Sequence, residues 1–194
     1  MDSDTLQMRS QLRAEGLRLR NEIPENLRIA FSHLIKKSAL DLLTELGSKN
    51  IHCYLSFRSE VDTSSLIHSL QSDGITIISP VTTEINGVPM LEHYALTDER
   101  VTGAFGVPEP RREKKIDPDT IDAVIVPIVA YDGTGTRLGY GKGYYDKFLS
   151  GLSLDVAKIG LAFSVQETYS IPSMPHDVRL DYIINEQALI ETGQ

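Results

Sequence analysis

Tryptophan is absent from this chain of 194 residues, and cysteine occurs once, as Cys53. A single thiol excludes any intrachain disulfide. Cys53 sits in the apolar run Ile51-His52-Cys53-Tyr54-Leu55 and reads as a small core residue of a buried strand. Long hydrophobic runs are missing too, since no stretch approaches the roughly 20 apolar residues that span a bilayer. Met1 to Arg20 is charged and lacks the apolar region of a secretory signal, so cytoplasmic residence with no membrane partner is the expectation. Positive charge is in deficit: 19 Lys and Arg stand against 27 Asp and Glu, for a net charge of -8. That argues against a general nucleic-acid binder. It leaves room for an anionic ligand, because a local cluster of cations can override the global field.

What is present is globular in character, with 41% apolar and 24% charged residues, and the length suits one domain over 1-194. Leu27, Ala30, Phe31, Leu34, Ile35, Leu42, Leu43 and Leu46 recur at helical spacing, with Gly47 as the stop. Asp4 to Asn21 reads as a separate helix, because Pro24 interrupts a continuous one. At about 100° per residue, Arg9, Arg13 and Arg20 fall within a sector of roughly 40°. This makes a cationic ridge which, by itself, reads as a solvated face.

From residue 51 the pattern changes. Short apolar, β-branched runs at Ile51-Ser56, Ile75-Ser79, Ala123-Pro127 and Ala157-Phe163 alternate with helical stretches at Thr63-Ser72 and Lys142-Leu149. Met90-Leu96 reads as an extra, more polar strand, and Gly106-Pro118, with its charge run, as a surface crossover. The alternation predicts an α/β fold: a three-layer α/β/α domain with a mostly parallel sheet and an N-terminal helical extension. Its ligand site belongs at the carboxyl ends of the strands.

Five glycines lie between residues 133 and 143, after the apolar run ending at Pro127. Such a segment suits a loop that bends sharply and approaches a ligand closely. A loop between a strand end and a helix start offers unpaired N–H groups to phosphate. Arg137 and Lys142 add a planar fork and a mobile point charge. Asp146, just inside the helix, can supply oxygen ligation to a nucleotide-bound Mg²⁺. A Walker A loop is excluded, because Gly143 follows Gly141-Lys142 where Ser or Thr is needed. A dinucleotide fingerprint lacks its acidic residue.

The run Arg137-Leu138-Gly139-Tyr140-Gly141-Lys142-Gly143-Tyr144-Tyr145-Asp146 resembles the signature of the 5-formyltetrahydrofolate cyclo-ligase (methenyltetrahydrofolate synthetase) family. Leu55 to Thr63 resembles the family's folate-contacting strand end, Gly106-Val107-Pro108-Glu109-Pro110 its proline-containing segment, and Pro175 to Asp181 its C-terminal element. The resemblance implies ATP- and Mg²⁺-dependent closure of 5-formyltetrahydrofolate, free or polyglutamylated, to 5,10-methenyltetrahydrofolate; a monomer is the expectation for the chain. It implies catalytic roles for Lys142 and Arg137. ATP binding falls to Arg9, Arg13, Arg137, Leu138, Gly139, Gly141, Lys142, Gly143, Tyr144 and Tyr145. Folate falls to Leu55, Phe57, Glu60, Tyr140 and Tyr144, and Mg²⁺ to Asp146 and Asp177. Arg9 stands where the family usually has Lys, and the resemblance turns the N-terminal ridge from a solvated face into a functional one.

Two rival readings stay open: an isomerase or CoA-transferase relative without ATP, and a non-catalytic folate binder. His52, His93 and His176 show no metal-binding spacing; His52 reads as core and His93 as part of a partly exposed strand. Asp132 reads equally as an Asx-turn residue, and Asp181 as a helper of Asp177 or a local ion pair.

Overall fold

The computed structural model describes residues 3–97, 99–103, 106 and 108–193, with the side chain of residue 85 left aside. Val107, within the proline-containing segment, lies outside the described residues. Helix α1 (Ser3–Glu22) and helix α2 (Glu25–Glu45) are separated at Pro24, as the sequence predicts. Gly47, at φ 66°, ends α2, and the Ser48 N–H reaches back to the Leu43 carbonyl. The buried stripe of α2 is Ser32, Ile35, Ala39, Leu42 and Leu43, narrower than its apolar spacing implies, because Leu27, Leu34 and Leu46 face outward.

The central sheet has seven strands: β1 (Asn50–Cys53), β2 (Thr76–Ile85), β3 (Val88–Ala95), β6 (Ala123–Pro127), β9 (Ala157–Leu161), β10 (Tyr182–Ile184) and β11 (Leu189–Glu191). Their order is β11-β10-β9-β6-β1-β2-β3. The inner pairs are parallel and only the outermost pairs, β2 with β3 and β10 with β11, are antiparallel. The period of two decides which layer each side chain enters. Ile51, Cys53, Ile77, Ala123, Ile125, Ile159 and Leu161 pack with α2 and with α3 (Ser64–Ser72). Ile78, Val124, Val126 and Ile183 face the opposite way, toward α4 (Tyr144–Leu149). The sheet therefore lies between two helical layers, as expected.

Several local expectations are corrected. The first strand stops at Cys53 rather than Ser56. β3 is half of a long hairpin, because Asn86 and Gly87 both take positive φ (53° and 78°), the backbone a tight hairpin turn needs. Within the supposed crossover, β5 (Pro108–Pro110) pairs with β4 (Arg100–Thr102). His93 is buried rather than partly exposed, its ring 4.4 Å from that of Phe148 and 5.2 Å from that of His52. Among the described residues, no helix is long and apolar enough to cross a membrane.

β1 leads outward through β2 to β3, and the chain then returns to place β6 on the other side of β1. The strand order thus reverses between β1 and β6, the kind of position where open parallel sheets leave a crevice.

Candidate active site

A cavity of about 520 Å³ opens at that reversal, a size suited to a small-molecule ligand. Tyr54 and Leu55 beyond β1, Pro80 in β2 and Pro127 ending β6 supply its lining from the sheet. Of the residues singled out from the sequence, Leu55, Phe57, Glu60, Arg9, Arg13, Arg137, Gly139, Tyr140, Gly141, Lys142, Gly143, Tyr144, Tyr145 and Asp146 line it. Segments more than a hundred residues apart in sequence therefore meet at one cavity.

Helix α1 docks through a polar face. Only Arg9, Gly16 and Arg20 of its 20 residues are buried. Gly16 permits the approach: a Cβ there would stand 2.3 Å from the Val129 carbonyl oxygen. Arg20 donates to Ser59 Oγ (3.1 Å), the Ile128 carbonyl (3.3 Å) and Tyr140 Oη (2.9 Å). Arg13 Nε donates to the Gly139 carbonyl at 3.0 Å. Burial, with Arg9 nearby, pulls its guanidinium down from the ordinary value. Arg9 grips Asp177 with two bonds, at 2.6 and 2.8 Å, and donates to the Pro172 carbonyl at 2.7 Å. The sequence ridge is real, but it faces the protein.

The glycine-rich segment has two parts. β7 (Ala130–Tyr131) and β8 (Arg137–Leu138) form a small hairpin. Asp132 turns it by accepting from Thr134 N–H (2.9 Å) and Oγ (2.6 Å), and also holds Ile171 N–H at 2.8 Å. Its Asx-turn reading is the one observed. After β8 the loop runs along the cavity, and Gly141 (φ 91°) and Gly143 (φ 73°) hold conformations that L side chains resist. Those angles delay the helix to Tyr144, two residues later than the spacing predicts.

Three expected ligand residues occupy positions that change their reading. Leu138 is buried away from the cavity, in an apolar cluster with Ala130 and Ile171. Asp177 has both carboxylate oxygens held by Arg9, one of them also by Met174 N–H at 2.8 Å. Its first role is to fix Arg9. Arg137 is buried, donating to the Val178 carbonyl and, at 2.9 Å, to Asp146 Oδ1. Burial lowers its guanidinium while Asp146 opposes that shift, so it reads as a clamp on Asp146. Asp181, in turn, pairs locally with Lys158 at 3.4 Å.

Glu60 accepts from Phe57 N–H and from Tyr140 Oη, both at 2.9 Å. Burial raises its carboxyl above the usual range, against the pull of those two donors. Burial likewise raises the Tyr140 and Tyr145 phenols, keeping them neutral. Sequence reasoning did not assign Arg58, Thr82, Leu91, Glu109 or His176 to the cavity, although all line it. His176 had a usable signal in its place beside Asp177; Thr82 and Leu91 are carried in by the unforeseen hairpin.

With this geometry established, known proteins supply a frame. The model of the 5-formyltetrahydrofolate cyclo-ligase family matches residues 5–186. The 5-formyltetrahydrofolate cyclo-ligase of Haemophilus influenzae is 29% identical, covering 90% of this chain and 95% of its own. That of Saccharomyces cerevisiae is also 29% identical, covering 89% and 92%. The NMR structure of the Aquifex aeolicus 5,10-methenyltetrahydrofolate synthetase superposes with a TM-score of 0.82 at 28% identity, over 96% of this chain and 94% of that one. The Mycoplasma pneumoniae 5,10-methenyltetrahydrofolate synthetase gives 0.75 at 26%, over 92% and 98%.

Proposed function

The chain belongs to the 5-formyltetrahydrofolate cyclo-ligase family, and from that premise we propose that it uses ATP and Mg²⁺ to close 5-formyltetrahydrofolate to 5,10-methenyltetrahydrofolate, releasing ADP and phosphate. One observation carries the reading: Arg9, Arg13 and Lys142 share a cavity with Leu55, Phe57, Glu60, Tyr140 and Tyr144. The first group suits phosphates and the second a planar, donor-bearing heterocycle with an apolar flank.

A formamide carbon is a poor electrophile and its oxygen a poor leaving group. Transfer of the γ-phosphoryl group to the formyl oxygen addresses both, giving an N5-iminium phosphate. N10 then attacks that carbon, loses its proton, and phosphate departs as the ring closes. Positioning and charge stabilisation make up most of such catalysis. Lys142 offsets charge on the transferring group, and Arg13 and Arg9 hold the nucleotide beside the Gly139–Gly143 backbone. Asp177 and Arg137 orient Arg9 and Asp146, while Glu60 accepts from the pterin edge.

Asp146 fits a magnesium ligand. Its Oδ1 is occupied by Arg137 and Val178 N–H, while Oδ2 takes no hydrogen bond from the described residues. Asp177 fits less well, its oxygens being engaged by Arg9. The described residues hold no cluster of three His, Cys, Asp or Glu, so such a cation would depend on nucleotide phosphates for its remaining ligands. When bound, Mg²⁺ would supply neutralisation of phosphate charge.

The test is a near-ultraviolet assay for the methenyl product with 5-formyltetrahydrofolate, ATP and Mg²⁺, each omitted in turn. Product only in the full mixture, with matching ADP, supports the reading. Folate binding without turnover would replace it with a binding function.

A further inference from the structure

We infer that Glu109 is a second substrate-facing carboxylate, receiving an N–H donor of the reduced pterin or of its N10 bridge; this rests on the folate reading above. Glu109 sits between Pro108 and Pro110 in β5, whose backbone is held by pairing with β4. Its residue is 6% exposed, yet it lines the cavity with Thr82 and Leu91 of the β2–β3 hairpin. Glu60 stands on a different wall, in the loop after β1.

A buried carboxylate needs partners, and the other buried acids have them. Asp132 takes bonds from Thr134 and Ile171, and Asp177 takes the fork of Arg9. From the described residues Glu109 accepts only two hydrogen bonds, both on Oε1 and both from Thr82: the N–H at 3.4 Å and the hydroxyl at 3.2 Å. These are long for hydrogen bonds. Among the described residues Oε2 accepts nothing, and no cation pairs with the group. Gly103 leaves the space that the carboxyl occupies: a Cβ there would come 2.0 Å from Glu109 Cδ. An acceptor on a cavity wall that the described residues leave under-satisfied calls for a ligand with N–H groups.

Phosphate cannot fill that role, because it brings only acceptors and like charge. A reduced pterin offers a 2-amino group, N3–H, N8–H and the N10–H of its side chain. Glu109 therefore marks the folate end of the cavity, and Arg9, Arg13 and Lys142 mark the phosphate end. Adenine also carries an amino donor, so the experiment must separate the two substrates.

Glu109→Gln keeps the volume and the acceptor that Thr82 needs, but replaces Oε2 with an N–H₂ donor. The KM for 5-formyltetrahydrofolate should rise about 10–100-fold, the scale of a lost bond to a charged group. The KM for ATP and the Tm should stay near their wild-type values. An unchanged folate KM overturns the inference, as does a rise confined to the ATP KM. A drop in Tm with unaltered folate affinity also overturns it, leaving only a brace for Thr82. If the wild type shows no turnover, the cyclo-ligase reading has failed by itself. Calorimetry of 5-formyltetrahydrofolate binding to both proteins then decides the role of Glu109: weaker binding to the variant supports it, and equal affinity overturns it.

Discussion

Arg20 and Glu60, forty residues apart in the chain, hydrogen-bond the same phenolic hydroxyl: Arg20 donates to Tyr140 Oη at 2.9 Å, and Tyr140 donates to Glu60 Oε1 at 2.9 Å. A cation on the first helix thus reaches the carboxylate facing the cavity through one neutral side chain. The arrangement satisfies both charged groups without direct contact and joins α1 to the loop after β1.

Tyr140→Phe cuts that link on both sides. Folate KM should rise about tenfold, the scale of one bond to a charged group. Burial already raises the Glu60 carboxyl, and the Tyr140 bond opposes the shift. Its removal should raise the carboxyl further. Binding that needs the carboxylate is present at high pH and is lost as pH falls through its folded-state value. The acid limb of folate affinity in Tyr140→Phe should therefore move to higher pH, as read by KM across a pH series.

Lys142→Ala should lower kcat by roughly 10²–10³, the usual loss for one preorganised charge-stabilising group. Single-turnover formation of the methenyl product measures it directly, and near-normal turnover would remove Lys142 from the mechanism.

Arg9 and Asp177 form a buried pair, with side chains 6% and 7% exposed. Removing one partner strands the other's charge, so Arg9→Met should cost about 3–5 kcal/mol. Arg9→Met with Asp177→Asn should recover much of that loss. Urea unfolding of the four proteins closes the cycle; additive losses would mean that the pair is not coupled.

At Gly16 two effects compete. Alanine in a helix gains up to about 1 kcal/mol over glycine, but the new Cβ would collide with the Val129 carbonyl at 2.3 Å. Overpacking costs about 1–3 kcal/mol, so Gly16→Ala should be destabilising on balance. Because α1 carries Arg9 and Arg13, the ATP KM should rise as well. A stabilised variant with unchanged kinetics would show that the helix sits further out.

Burial, helped by Lys115, depresses His93 to about 4 from an ordinary 6.5. The imidazole is neutral in the fold and gains a proton on unfolding between those values. Its contribution is therefore full above about pH 6.5 and is lost as pH falls toward 4. His93→Phe should lose less stability over that window than the parent, as read by urea midpoints at pH 7 and pH 4.5.

The inner sheet was legible because parallel strands buried on both faces are continuous apolar runs, as in Ala123–Pro127. The signature loop was legible because its glycines and cations are contiguous. The long hairpin was missed although Asn86-Gly87 is a strong local turn signal; its strands are too polar to announce a buried sheet. The partnership of Arg9 with Asp177 spans 168 positions, and nothing in one sequence links them. Gly16 and Glu109 were opaque for a related reason: the significance of a missing Cβ, or of a weakly partnered acid, depends on what folds against it.

The polar docking of α1 has a consequence for how occupancy is felt. Helix α1 is held mainly by a few guanidinium bonds to protein oxygens, each worth about 1.5–3 kcal/mol, and it buries few apolar side chains beneath it. An anion spanning Arg13 and Lys142 would add one more tie to those polar anchors. Nucleotide would then act as mortar for the amino-terminal segment, and amide protons along α1 would become slower to exchange when it binds, while those of β1 and β6 would hardly change.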